Sequence, residues 1–181
     1  KTSLLRLNIR TEENPAKLFK DKGIDIVICM LPIHLALTAA KAALDAGIPF
    51  VSSNYTYDLA QLHDEAIRQK GIILPEMGLD PGIDLVMGRM AVDELDAVHG
   101  LYSYGGGVPA PECKDTSPIK YKISWIFDRV LDVYVRSSQM IKDGVPYEVP
   151  GNKLFHEGNF HEINFGGVGT VEAYPNGNAE R

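Results

Sequence analysis

Asp80, Pro81 and the glycines beside them are the residues of this chain whose types and spacing point most directly to chemistry. They sit in Ile72-Ile-Leu-Pro-Glu-Met-Gly-Leu-Asp-Pro-Gly-Ile-Asp84. The stretch reads as a buried strand, a glycine turn and a helix that opens on Asp80 and Pro81. Aspartate suits an N-cap, and proline suits the first helical position because its missing N–H would be unpaired there anyway. A helix start presents free backbone N–H groups and the positive end of its dipole. Open α/β sheets hold their ligands at the carboxyl ends of parallel strands. Two fates are therefore open to Asp80: capping a crossover helix, or meeting a ligand as a carboxylate that can take a proton.

The elements that must position Asp80 are legible upstream of it. Leu4–Ile9 alternates apolar and polar residues as a strand does, and Asn14-Pro15 opens a short helix that ends at Gly23. Ile24–Leu31 is a continuous apolar run, as expected of a strand covered on both faces, and Pro32 breaks it. An alanine-rich helix follows to Ala46, closed by Gly47 with Pro49 beyond. Phe50–Ser53 is the next strand, Asp58 opens a helix that runs to Gly71, and Ile72–Leu74 completes the series. This β-α alternation predicts a mostly parallel sheet. Its strand-end turns, Met30–His34, Ser53–Tyr57 and Met77–Asp80, should share one functional edge.

After Leu95 the pattern changes. His99–Tyr104 alternates like a strand, and the Gly- and Pro-rich stretch 105–118 reads as a long loop, a kind usually kept for function. A helix capped by Ser124 follows, with Ile126, Phe127, Val130, Leu131 and Tyr134 on its apolar face. Asp143-Gly144 signals a hairpin between 139–142 and 145–149, and further antiparallel strands are expected from Asn159 to Gly177.

Composition narrows the function classes. The 181 residues carry a formal net charge of −6, which argues against a nucleic-acid surface and leaves small-molecule work open. Cys29 and Cys113 are the two cysteines, so no disulfide framework and no zinc spacing exists, and no metal site is expected. The apolar runs are too short to span a membrane, and a reducing, cytoplasmic setting is the default expectation. No G-x-G-x-x-G turn, the usual seat of a dinucleotide pyrophosphate, is present. The chain also opens in mid-pattern, so it reads as a fragment lacking the first β-α-β unit.

Several pieces taken together resemble the saccharopine dehydrogenase family: 25–32, the Gly-Leu-Asp-Pro-Gly-Ile-Asp run 78–84, Ser-Tyr-Gly-Gly-Gly-Val-Pro-Ala-Pro-Glu at 103–112, 121–125 and Ala173-Tyr-Pro-Asn176. The similarity runs in order over nearly the whole chain. It implies an α/β protein with the second half of a Rossmann-type parallel sheet in residues 1–80. An α+β substrate-binding domain follows in 81–181, with a C-terminal return segment absent. It also implies an enzyme that uses NADP or NAD to transfer hydride at the C–N bond of a carboxylated secondary amine in lysine metabolism. The partner is then a small amino-acid substrate, with no nucleic acid and no membrane, and a homodimer is left open.

The same resemblance assigns candidate residues. Asp80 and Tyr55 are the catalytic candidates: the carboxylate would meet the substrate amine, and the phenol would donate to a substrate carboxylate. Tyr57 competes with Tyr55 for that task. Leu31, Pro32, Asn54, Leu79, Asp80, Pro81 and Trp125 are the cofactor-side candidates. Pro32 also serves as a plain strand terminator, and Trp125 equally suits a core position. Two residues depart from the saccharopine reductase pattern: Gly105 stands where that pattern has cysteine and Gly177 where it has arginine. The alternatives are a lysine 6-dehydrogenase-like or carboxynorspermidine dehydrogenase-like enzyme, or a non-catalytic cofactor-binding member.

Overall fold

In the computed structural model, described over residues 3–107, 109–110, 112–113, 122–123 and 126–176, the chain forms two units, Lys1–Ser103 and Tyr104–Arg181.

The first unit is a three-stranded parallel sheet with helices between its strands. Helix α1 (Pro15–Asp21) starts as expected, with the Asn14 side chain accepting the Lys17 N–H. Strand β1 is Val27–Cys29, helix α2 is Ile33–Ala46, and strand β2 is Phe50–Ser52. Gly47 closes α2 in the left-handed conformation. A 3-10 turn (Tyr57–Leu62) leads into α3 (His63–Gln69), then strand β3 (Ile73–Leu74) and helix α4 (Ile83–Asp93). The stretch from Asp58 is therefore not one α-helix to Gly71: it begins as 3-10, and Lys70 ends it with a positive φ.

One face of the sheet carries the core. Ala36, Ala39, Ala40 and Ala43 of α2 lie against Cys29 and Phe50, with Leu59 and Leu62 closing the side. Alanines have no bulk, so the helix backbone can lie close to the strands. Full burial of Phe50 alone contributes about 2–3 kcal/mol. The other face differs from expectation. Ile28, Val51 and Leu74 are register partners across the three strands, and Ile28 is 64% exposed. Successive strand residues point to opposite faces. Among the described residues β1 is therefore not buried on both faces.

Two expected strands are absent. Leu4–Ile9 and His99–Tyr104 alternate correctly but take no strand conformation, since alternation makes a strand only when a neighbour pairs with it.

The second unit is built from two antiparallel hairpins and a helix. Helix α5 is Phe127–Val135, and of its apolar face only Val130 is buried. Its expected cap, Ser124, lies outside the described residues, as does Trp125. Strands β4 (Ser138–Lys142) and β5 (Val145–Val149) form the predicted hairpin, with Asp143 and Gly144 both at positive φ. Strands β6 (His161–Phe165) and β7 (Gly169–Ala173) form the second. The rings of Tyr134, Phe155 and Tyr174 meet at centroid distances of 4.9–5.6 Å, edge-on or tilted.

Candidate functional site

The carboxyl ends of β1, β2 and β3 are bonded into one edge. Asn54, just past β2, is the hub. Its side-chain amide donates to Leu31 O (2.9 Å) and to Ser52 Oγ (3.1 Å), and its backbone N–H also reaches Ser52 Oγ (3.0 Å). Its carbonyl accepts the Glu76 N–H at 2.9 Å. The Met77 N–H donates to Ser52 O, carrying the link between these two chains past the end of the ladder. The three turns that the β-α alternation placed together are thus held together by hydrogen bonds.

Two of the candidates meet directly. Tyr55 donates its phenol to Asp80 Oδ1 at 3.2 Å, and the Tyr57 ring lies 5.4 Å from that of Tyr55. Among the described residues, no other hydrogen bond engages the Asp80 carboxylate. Asp80 is exposed, and its second oxygen can accept an N–H from a ligand.

The expectation that Asp80 caps the helix and Pro81 fills its first position does not hold. Helix α4 begins at Ile83, with Gly82 at the N-cap. Residues 78–82 form a closed turn: the Gly78 N–H donates to Pro81 O, the Ile83 N–H to Gly78 O and the Asp84 N–H to Leu79 O. The Asp80–Pro81 peptide is cis. The capping work falls to Asp84, whose Oδ1 accepts the Gly82 N–H at 2.7 Å. Aspartate, proline and glycine suit a tight turn as well as a helix start, and here the turn prevails. The consequence is chemical: Asp80 is not spent on backbone N–H groups.

The remaining candidates are distributed unevenly. Leu31 and Leu79 are exposed apolar side chains on this edge, and Pro32 occupies the position before α2. Pro81 is buried, so what it offers the edge is the shape of the turn. Two participants escaped the sequence reading. Asp84 had a signal, an acidic residue in the first helical turn. Glu76 had none, because its bonds run to Thr56, twenty residues earlier.

Cys29 sits beneath the edge at the end of β1. Burial pushes its thiol above the ordinary range, and a backbone hydrogen bond at Leu31 opposes this in part. The folded state therefore favours the neutral thiol. That stability is fully present below the ordinary thiol range near about 8.5 and is lost as pH rises through the folded value. In the native protein, iodoacetamide at neutral pH is expected to label the half-buried Cys113 and spare Cys29. Both should react in denaturant, and equal native labelling would show that the strand end is open.

Comparison with known proteins places this edge in context. The family model described as saccharopine dehydrogenase C-terminal domain matches residues 78–179. Saccharopine dehydrogenase (NADP(+), L-glutamate-forming) of Pyricularia oryzae is 34% identical over 157 residues, covering 84% of this chain and 34% of the relative. Alpha-aminoadipic semialdehyde synthase, mitochondrial, of Rattus norvegicus is 31% identical over 157 residues, covering 84% of this chain and 17% of the relative. Among solved structures, apo saccharopine dehydrogenase (L-Glu forming) from Saccharomyces cerevisiae superposes with a TM-score of 0.77 at 28% identity. That match covers 96% of this chain and 39% of the yeast chain. The chain spans about a third of the length of its glutamate-forming relatives. Among the described residues, no helix is long and apolar enough to cross a membrane.

Proposed function

The chain belongs to the saccharopine dehydrogenase family, and from that premise we propose that the full-length protein carrying it is a nicotinamide-dependent oxidoreductase. Its reaction is hydride transfer at the C–N bond of saccharopine, a carboxylated secondary amine of lysine metabolism. The observation that carries this reading is the Tyr55–Asp80 hydrogen bond at the carboxyl edge of a parallel sheet. It joins a proton-handling carboxylate to a phenol where open α/β sheets hold their ligands.

Asp80 has one oxygen engaged by Tyr55 and another able to accept the N–H of a substrate amine. In oxidation that nitrogen loses a proton, and the carboxylate is the group placed to take it. The phenol fixes the plane of the carboxylate, so the accepting oxygen is aimed before substrate arrives.

The edge suits the nicotinamide end of NADP or NAD. Leu31 and Leu79 present apolar surface for a flat ring, and Asn54 ties the β1 turn to the β2 turn between them and Asp80. When bound, the nicotinamide supplies or accepts the hydride. On this reading 1–80 is the later part of a Rossmann half and 81–181 belongs to the substrate domain. The two unpaired cysteines suit a reducing compartment such as the cytoplasm.

Gly105 favours a second reading of the substrate alone. It brings no thiol to its loop, and the direction its side chain would take is open. That fits an enzyme acting on lysine or another carboxylated amine. The test is an assay of the full-length protein for amine-dependent reduction of NADP and of NAD across saccharopine, lysine and other carboxylated amines. Saccharopine-dependent reduction of NADP is the expected result. Activity on lysine alone would select the second reading, and no amine-dependent reduction would overturn both.

A further inference from the structure

Glu76 takes no part in the chemistry proposed above, yet it is held in a costly conformation. Its φ is 62°, in the left-handed region, which costs a residue with a β-carbon on the order of 1–2 kcal/mol. Three of its hydrogen bonds fall on either side of one residue. The backbone N–H donates to Asn54 O at 2.9 Å. Oε1 accepts both the Thr56 N–H at 3.0 Å and the Thr56 hydroxyl at 2.8 Å. Tyr55 lies between these two anchors, and its phenol then reaches Asp80. Asp80 itself follows Glu76 by four residues in the same turn region. A single residue therefore ties the backbone that carries the phenol to the segment that carries the carboxylate.

We propose that Glu76 is a positioning residue: by clamping the chain on both sides of Tyr55 it sets the Tyr55–Asp80 hydrogen bond, and through it the aim of the carboxylate. This rests on the reading that Asp80 meets the substrate amine. A residue that merely braces the turn would affect stability without regard to Tyr55. A positioning residue acts through the phenol, and its effect disappears when the phenol does.

A double-mutant cycle in the full-length protein separates the two. Glu76→Ala is expected to lower kcat roughly tenfold or more, with KM for NADP changed less than about twofold, because misplacing a reacting group costs rate before it costs nucleotide binding. Glu76→Gln keeps an oxygen acceptor for Thr56 and should recover most of the rate. In a Tyr55→Phe background, Glu76→Ala should cost less than about twofold further, since interacting residues are non-additive. An equal fold-loss in both backgrounds overturns the proposal. If Glu76→Ala does not fold, Thr56→Val removes one of the three bonds and is read in the same two backgrounds, with the same expected disappearance.

A second arm keeps the inference separate from the reading of function. Ring-13C tyrosine labelling reports Tyr55 directly, its resonance identified by loss in Tyr55→Phe. Asp80→Asn should shift that resonance, and Glu76→Ala, or Thr56→Val in its place, should shift it too. An inactive wild-type protein would overturn the function and leave this arm to decide. A Tyr55 resonance that moves with Asp80→Asn but not with the change at 76 or 56 would overturn the role of Glu76.

Discussion

Asp80→Asn in the full-length protein is expected to lower kcat by roughly a hundredfold or more while nucleotide affinity stays within about twofold. Asparagine nearly matches aspartate in shape and keeps an oxygen that can accept the Tyr55 phenol, so the edge should hold its form. What it loses is the carboxylate that takes a proton. The start of α4 is insulated from the change because Asp84, not Asp80, receives the Gly82 N–H. Steady-state kinetics with saccharopine, beside a fluorescence titration of NADP, separates the two effects. Near-normal turnover would mean that the proton leaves by another route and that Asp80 only shapes its turn.

Gly82→Ala should be the most damaging small substitution on this edge. Gly82 has φ 149°, and a β-carbon there would lie 2.3 Å from Gly78 O, 2.6 Å from Gly78 N and 2.7 Å from Glu76 O. All three are backbone atoms of the turn that supports Asp80, so relief requires the turn to open. Strain and overpacking together imply a loss of about 3 kcal/mol or more. Gly105→Ala is the control: a β-carbon there meets nothing within 4 Å, and the change should stay within about 0.5 kcal/mol. Chemical denaturation of the two variants, with kcat measured beside it, tests the pair. Equal midpoints would show that the turn has a second low-energy shape.

These two results depend on a turn that the sequence described only in part. Local chemistry was readable wherever the residues that decide a conformation are neighbours. Asn14-Pro15 begins a helix because the Asn14 side chain and the N–H it accepts are three residues apart. Gly47 ends α2, and Asp143-Gly144 closes its hairpin, because each backbone must adopt positive φ there and those residues tolerate it. The apolar rhythm of β1, β2 and β3, broken by helices, was enough to put the turns after them on one edge. On that edge the resemblance placed Asp80, Tyr55 and Asn54, and the structure brings them together.

Other features are decided by residues far apart. The strand pattern of Leu4–Ile9 has no paired neighbour, so alternation alone gave the wrong element. The apolar run around Ile28 does not say how far that side chain is covered, since coverage belongs to neighbouring elements and not to the strand. Asp-Pro-Gly satisfies a capped helix start and a tight turn equally well. The closure of Gly78 onto Pro81 and Gly82 decides for the turn, and the Tyr55 phenol then engages an Asp80 that the helix has released. Glu76 is the limiting case: nothing adjacent to it predicts a left-handed glutamate, because its carboxylate binds Thr56 across the sheet edge, a contact that exists only once β2 and β3 are paired.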